Sequence, residues 1–365
     1  MKKKKVSRIG IVTGGGDCPG LNAVIRAVTK TAIIDHDMQV VGFLDGFEGM
    51  VENRTVPLDY NRVSGILTRG GTILGSSNRS DPFHYPMLED GKTTYRDRSD
   101  QLLANFDNLG LDVLVCLGGD GTMAAVNQLI AKGLKAVGIP KTIDNDLWGT
   151  DITFGFNSAM TTAAEAIDRI HTTAESHHRV MIVEVMGRYA GWLALTSGVA
   201  AGGDIILIPE IPYDIESVCA KIKDRKYHGS YFSILVIGEG AHPEGGKISV
   251  KKVVEGSPEK IRLGGAGNHI SSLIEKRLQL ESRVIVLGHL VRGGVPTPFD
   301  RVLSSRFGFE AMERIVRGEF GLMVSLRKEE VTTVPISEVA GKIRTVPLDA
   351  HLIRTARSLG TCLGD

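Results

Sequence analysis

Val113-Leu-Val-Cys-Leu117, Gly118-Gly-Asp-Gly-Thr122 and Met123-Ala-Ala-Val-Asn-Gln-Leu-Ile-Ala131 follow one another without a break and read as strand, turn and helix. The first run is continuously apolar and rich in strand formers. The last has its apolar residues at helical spacing. A strand with no polar alternation that feeds directly into a helix belongs in a parallel sheet covered on both faces. The same unit opens the chain, with Arg8-Ile-Gly-Ile-Val-Thr13 as strand, Gly14-Gly-Gly-Asp-Cys-Pro-Gly20 as turn and Leu21-Asn-Ala-Val-Ile-Arg-Ala-Val28 as helix. Lys135-Ala-Val-Gly-Ile-Pro140 is the next strand. Further strands are expected over 179–185, 204–208, 231–237 and 283–287, with helices near 159–173, 215–226 and 268–280. The segment 241–267 mixes Gly, Lys and Glu and reads as a long surface loop. The predicted fold class is α/β with mostly parallel sheets.

The turns carry the chemistry. Glycines at 118, 119 and 121 let backbone amides approach a phosphate at a helix N-terminus, where partial positive charge favours an anion. Asp120 between them suits a magnesium ion bridging donor oxygens. The turn by itself is equally compatible with a tight turn and an N-capping aspartate. Thr142-Ile-Asp144-Asn-Asp146 then hangs off the carboxyl end of the strand ending at Pro140, the edge where open α/β sheets bind ligands. A carboxylate there can take the proton of an attacking hydroxyl. Two acids so close together also occur as ordinary turn and cap residues. The first turn is not the dinucleotide fingerprint, because Pro19 stands where the third glycine belongs, and no Gly-x-x-x-x-Gly-Lys-Ser/Thr run exists.

Composition narrows the classes. The chain has 365 residues, 43 basic against 42 acidic, a formal net charge of +1 and 42% hydrophobic residues. That is enough apolar residue for substantial cores and gives no field to recruit nucleic acid or a membrane surface. Lys2 to Lys5 lack the apolar run of a signal peptide behind them and are expected to be a solvated tail. Cys18, Cys116, Cys219 and Cys362 have no paired metal spacing, so a reduced, cytoplasmic protein is expected.

With these turns in place the chain resembles the 6-phosphofructokinase family over nearly its whole length. It also carries Arg69-Gly-Gly-Thr-Ile-Leu-Gly-Ser76, Ser176-His-His-Arg179, Glu184-Val-Met-Gly-Arg188, Ile237-Gly-Glu239 and Leu287-Gly-His289-Leu-Val-Arg292 in the family's order and spacing. The resemblance implies two similar three-layer α/β domains built discontinuously. One comprises 1–155 with 291–341 and binds ATP; the other comprises 156–290 with 342–365 and binds the sugar phosphate. It implies transfer of the terminal phosphoryl of magnesium-ATP to the 1-hydroxyl of fructose 6-phosphate, with Asp144 as general base and Thr142, Asp146 and Arg188 beside it. Gly15, Gly16, Arg79, Gly119, Asp120, Gly121 and Thr122 would surround the donor, with Asp120 the magnesium ligand. Met186, Gly187, Arg188 and Glu239 would grip the sugar, and His289 and Arg292 its 6-phosphate.

Arg179 and Arg283 match arginines that reach that phosphate from a neighbouring subunit, which implies a homodimer at least and a tetramer by analogy. The family's arginine after Leu-Gly-Ser-Ser is replaced here by Asn78, and Arg79 is expected to reach back into its role. Donor choice rests on two positions. Gly121 resembles ATP users, because the aspartate of pyrophosphate users would meet the nucleotide's α-phosphate. Lys141 resembles pyrophosphate users, but a flexible side chain there can swing aside and does not exclude ATP, whereas an aspartate at 121 would, so ATP is the expected donor. Arg26 and Lys30 could serve an intersubunit effector cleft, yet Tyr60 and His171 stand where classical members have arginines, and strong control of the classical kind is not expected.

Overall fold

Val113, Val115 and Leu117 face one hydrophobic core and Leu114 and Cys116 another, all five fully buried, as a strand covered on both sides requires. The computed structural model describes residues 6–77, 81–89, 91–253 and 261–365. Lys2 to Lys5, read as a tail, lie outside the described residues. In chain order the strands are β1 Arg8–Thr13, β2 Gln39–Phe43, β3 Thr55–Leu58, β4 Tyr85–Glu89, β5 Lys92–Arg96 and β6 Val113–Gly118. Next come β7 Ala136–Thr142, β8 Phe154–Gly155, β9 Val180–Val185, β10 Ile205–Leu207 and β11 Ser233–Gly238. β12 Val250–Val253, β13 Ile261–Leu263, β14 Ser282–Val286, β15 Leu322–Arg327 and β16 Glu330–Pro335 complete the set.

The larger sheet runs β16-β15-β7-β6-β1-β2-β3, with β8 paired to β7. Its centre is parallel, and only the two edges, β3 on β2 and β16 on β15, are antiparallel. β1 sends the chain to β2 on one side and β6 sends it to β7 on the other, so the strand order reverses between β1 and β6. Helix Leu21–His36 contributes to the core on one face, and helix Asp120–Ala131 to the core on the other. The crevice at such a reversal, outside the carboxyl ends of the strands, is where α/β sheets take ligands.

The smaller sheet, β10-β11-β9-β14, is wholly parallel. Buried Glu184 in β9 accepts from the backbone N–H of Gly265 at 3.2 Å and Gly267 at 2.8 Å, which satisfies two amides at the start of helix Ala266–Leu278. Helix Phe156–His177 lends Phe156, Ala159, Ala163 and Ile167 to a core that runs continuously from β1 and β6 to β9. The chain's end returns to this sheet, where Cys362 bridges Ile205 and its carbonyl accepts from Ile206 N–H at 2.9 Å.

Helices expected near 159–173, 215–226 and 268–280 are Phe156–His177, Ile215–Tyr227 and Ala266–Leu278. The long loop expected over 241–267 is in part an antiparallel pair, β12 with β13. Val250-Lys-Lys-Val253 has too few apolar residues to announce a strand, and its pairing supplies the backbone partners that composition conceals. No helix among the described residues is long and apolar enough to cross a membrane.

Candidate active site

Two glycine turns close on one hydroxyl. A Cβ on Gly118 would lie 2.3 Å from Thr122 Cβ, and one on Gly14 would lie 2.5 Å from Thr122 Oγ1, so neither position admits a side chain. Gly119, with extended backbone, is the N-cap of helix Asp120–Ala131, and no side chain caps that end. Asp120 is therefore not the N-capping aspartate that the turn alone allowed. Its carboxylate is exposed at the first turn, beside the helix's unpaired amides. At Gly121 an added Cβ would meet nothing within 4 Å.

The first turn is fastened from beneath. Lys141, at the end of β7, is 4% exposed and its Nζ donates to the Gly16 carbonyl at 2.5 Å. Burial pushes its pKa down, and Arg292 adds to the effect. Lys141 thus departs from expectation, because a buried ammonium held by a carbonyl is not a side chain that swings freely. Arg292 Nη1 donates to the Asp17 carbonyl at 3.0 Å, so this arginine ties the 3-10 turn Gly288–Arg292 to the first glycine turn. Ser76 Oγ donates to the Gly15 carbonyl, which sets the Arg69 to Ser76 motif beside the same turn. Asn78 and Arg79, on which the expected arginine substitution turns, lie outside the described residues.

The loop 142–146 leaves β7 next to these turns, since Gly118 on β6 pairs with Pro140 on β7. Thr142 Oγ1 accepts from Asp144 N–H at 3.1 Å and donates to Asp146 Oδ1 at 3.3 Å. Asn145 between the two acids adopts φ 52°, a left-handed conformation in which few residues other than glycine settle. Burial, then Asp144, then Asp120 push the Asp146 carboxyl up to about 7. Asp120, Asp144 and Asp146 thus form a negative patch that a hard divalent cation would neutralise. Among the described residues no three or more His, Cys, Asp or Glu side chains group as a metal cage.

The turns that follow β9 and β11 of the small sheet face this loop. Gly187 follows β9 with φ 129°, and a Cβ there would lie 2.8 Å from the Ala190 carbonyl, so the turn that presents Arg188 needs glycine. Met186 packs against the core. Glu239, one residue past β11, is pushed up to about 7, first by burial and then by Asp144 and Glu184, against the opposing pull of Arg292 and Arg188. The donor turns, Lys141, Asp144, Asp146, Arg188, Glu239 and Arg292 are accordingly one electrostatic neighbourhood. His289 is exposed on the 3-10 turn Gly288–Arg292.

Arg179 and Arg283 are not part of that neighbourhood. Arg179 precedes β9 and Arg283 lies near the start of β14, so both are at the amino end of strands whose carboxyl ends carry Arg188 and Arg292. At roughly 3.3 Å per residue the length of β9 separates them from the Arg188 turn by on the order of 20 Å. Both pair with Glu281, Arg179 Nε at 2.8 Å. In the region compared with effector clefts, Lys30 Nζ lies 3.9 Å from the centre of the Tyr60 ring, and His171 Nε2 meets the Ala201 carbonyl at 2.7 Å. Trp192, Glu210 and Arg344, which sequence reading did not single out, pack directly behind the Asp144 loop and the Arg188 turn. No local pattern announces them, because their partners are far away along the chain.

The family model for phosphofructokinases matches residues 8–315. The chain is 48% identical over 362 residues to the ATP-dependent 6-phosphofructokinase 2 of Clostridium perfringens, covering 99% of each. It is also 48% identical over 365 residues to the ATP-dependent 6-phosphofructokinase of Spirochaeta thermophila, covering 100% of each. Among solved structures, the phosphofructokinase of Pichia pastoris superposes with a TM-score of 0.78 at 29% identity over 92% of this chain, which spans 35% of that longer one. The pyrophosphate-dependent phosphofructokinase of Nitrosospira multiformis shares the fold, with a TM-score of 0.80 at 20% identity over 99% of this chain and 93% of its own. The chain is a member of the phosphofructokinase family.

Proposed function

We propose that this protein transfers the terminal phosphoryl of ATP to the 1-hydroxyl of fructose 6-phosphate, giving fructose 1,6-bisphosphate and ADP. The observation that carries the reading is the meeting of an open anion-binding turn at 118–122 with the Asp144 loop at one sheet edge. The ATP-dependent relatives at 48% identity support the choice of donor. Asp144 takes the proton as the 1-hydroxyl oxygen bonds to the γ-phosphorus and the bond from phosphorus to the bridging oxygen breaks. Backbone amides at 119–122 steady the donor phosphates, and Lys141 keeps the Gly14 to Gly16 turn in shape through the Gly16 carbonyl. Arg188 and Glu239 grip the sugar. Magnesium, held by Asp120 with Asp146 near it, would neutralise charge on the donor oxygens. Catalysis is then mostly positioning and charge neutralisation. Formation of fructose 1,6-bisphosphate with magnesium-ATP, and none with magnesium-pyrophosphate, is the expected result; activity with pyrophosphate alone would overturn the reading.

The acid side of the pH profile should expose Glu239. A carboxyl lifted to about 7 is charged only above that pH, so its charge-assisted bonds to sugar hydroxyls are present at pH 8 and lost as pH falls through 7. The expected kcat/KM for fructose 6-phosphate therefore drops about tenfold per pH unit below the midpoint for each proton taken up. Glu239→Gln should raise KM for the sugar roughly 10- to 100-fold, the loss of one charged hydrogen bond, and remove Glu239's share of the acid limb. An unaltered acid limb in this variant would assign the whole titration to other groups.

The assembly belongs to the same proposal. Arg179 and Arg283 are too far from their own sugar loop to serve it, and they would serve the 6-phosphate of a second copy. Helix Pro298–Arg317 leaves Phe299, Val302, Phe309 and Val316 between 46% and 60% exposed, spaced to lie on one side of the helix. A homo-oligomer would cover that stripe. Sedimentation showing a fully active monomer would sink this part. The ATP-binding unit would comprise 1–155 with 291–341 and the sugar unit 156–290 with 342–365, in a cytoplasmic enzyme.

A further inference from the structure

We propose that Arg344 is a positioning residue that fixes the proton-accepting loop against the sugar-gripping turn, with Trp192 as its partner. The proposal rests on the reading of Asp144 as the base. Arg344 touches the loop from its far side. Its Nη1 donates to the Asn145 carbonyl at 2.9 Å and its own N–H donates to the Asp146 carbonyl at 2.7 Å. Leu147 and Ile343 continue the contact as an antiparallel bridge. Asn145 needs such support, because its left-handed backbone is uphill for a residue with a side chain. Thr153 N–H donates to its Oδ1 at 3.0 Å on the other side.

The same guanidinium also meets the residues that follow the Arg188 turn. Its guanidinium carbon lies 4.1 Å from the centre of the Trp192 indole, whose Nε1–H donates to the Arg344 carbonyl at 3.0 Å. Trp192 opens helix Trp192–Ala200, four residues after Arg188. A second tie runs through Glu210, which accepts from Gly191 N–H at 3.0 and 3.1 Å and from Val346 N–H at 2.7 Å. Residues 344–346 thus hold Asn145 and Asp146 with one set of bonds and the end of the Arg188 turn with another. The planar guanidinium can stack and donate in its own plane together, which an ammonium cannot. Transfer requires the 1-hydroxyl, gripped from the sugar turn, to sit at hydrogen-bond distance from a carboxylate on the loop. A small slip between the two segments is sufficient to lose much of the rate.

Arg344→Ala is expected to lower kcat roughly 10- to 100-fold, with KM for ATP within about twofold of normal and with sugar affinity changed far less than kcat. Trp192→Leu removes the stack and the indole donor and should give a similar loss. The double variant should be little worse than either single one, because both break the same coupling. Arg344→Lys should recover only part of kcat. A residue that only stabilised the fold would lower the melting temperature and the fraction of active sites while kcat per folded site stayed normal. That outcome, or kcat losses that multiply in the double variant, would overturn the proposal. Should Arg344→Ala not fold, Trp192→Phe, which keeps a smaller aromatic face and loses the N–H donor, carries the test with an expected loss of at least roughly 3- to 10-fold, the worth of one hydrogen bond; unchanged turnover there overturns the proposal too. Asp144→Asn, measured alongside, separates the two failures. Inactive Asp144→Asn with fully active Arg344 and Trp192 variants refutes the coupling alone, whereas active Asp144→Asn refutes the reading beneath it.

Discussion

Asp144→Asn is expected to lower kcat by roughly 10²–10⁴ while fructose 6-phosphate still binds. The substitution keeps the shape of the side chain and the bond from its own N–H to Thr142 Oγ1, so the loop has no reason to move. What disappears is the basic oxygen that accepts the proton as the new phosphorus bond forms. Asp146 is a poor substitute, since the Thr142 hydroxyl already donates to its carboxylate. The charge removed at 144 also contributes to the upward shift of both Asp146 and Glu239. Both should titrate at lower pH in the variant, and the midpoint for sugar binding, followed by calorimetry from pH 5 to 8, should move down. Near-normal turnover would remove Asp144 as the base. An unmoved midpoint would show that its charge does not reach the sugar side.

The parallel sheet was legible because Val113-Leu-Val-Cys-Leu117 and Arg8-Ile-Gly-Ile-Val-Thr13 are buried on both faces, a condition that leaves only strand-forming residues in place. The donor turn was legible as a turn. What sequence could not tell is why Gly118 must be glycine: the obstacle is Thr122, folded back beneath it. The two ribbons, β4 with β5 and β12 with β13, escaped because their sequences are rich in polar residues that read as loop. Lys141 was misjudged for a related reason. A lysine is normally solvated, and only the Gly16 carbonyl, 125 residues away, supplies the partner that lets it stay buried. Arg344 and Trp192 stand 152 residues apart and form no motif, so only the folded chain brings them together.

Gly121→Asp tests donor choice with little interference from folding. An added Cβ at 121 meets nothing, the backbone is not in the left-handed region, and an acid in the first turn of helix Asp120–Ala131 is favoured by its dipole by about 0.3–1 kcal/mol. The variant should therefore melt no lower than the parent. Its carboxylate would stand beside Asp120 at the turn where nucleotide phosphates bind, and like charges brought together in a binding site are opposed by several kcal/mol. A fall of roughly 10²–10³ in kcat/KM for ATP follows, with sugar affinity measured in the absence of nucleotide unchanged. Gly121→Ser separates charge from bulk, since a hydroxymethyl group fills most of the same space without ionising. If serine does as much damage as aspartate, bulk alone excludes the nucleotide. If both variants use ATP normally, Gly121 does not decide the donor, and the buried Lys141 beneath the Gly14 to Gly16 turn becomes the residue to test.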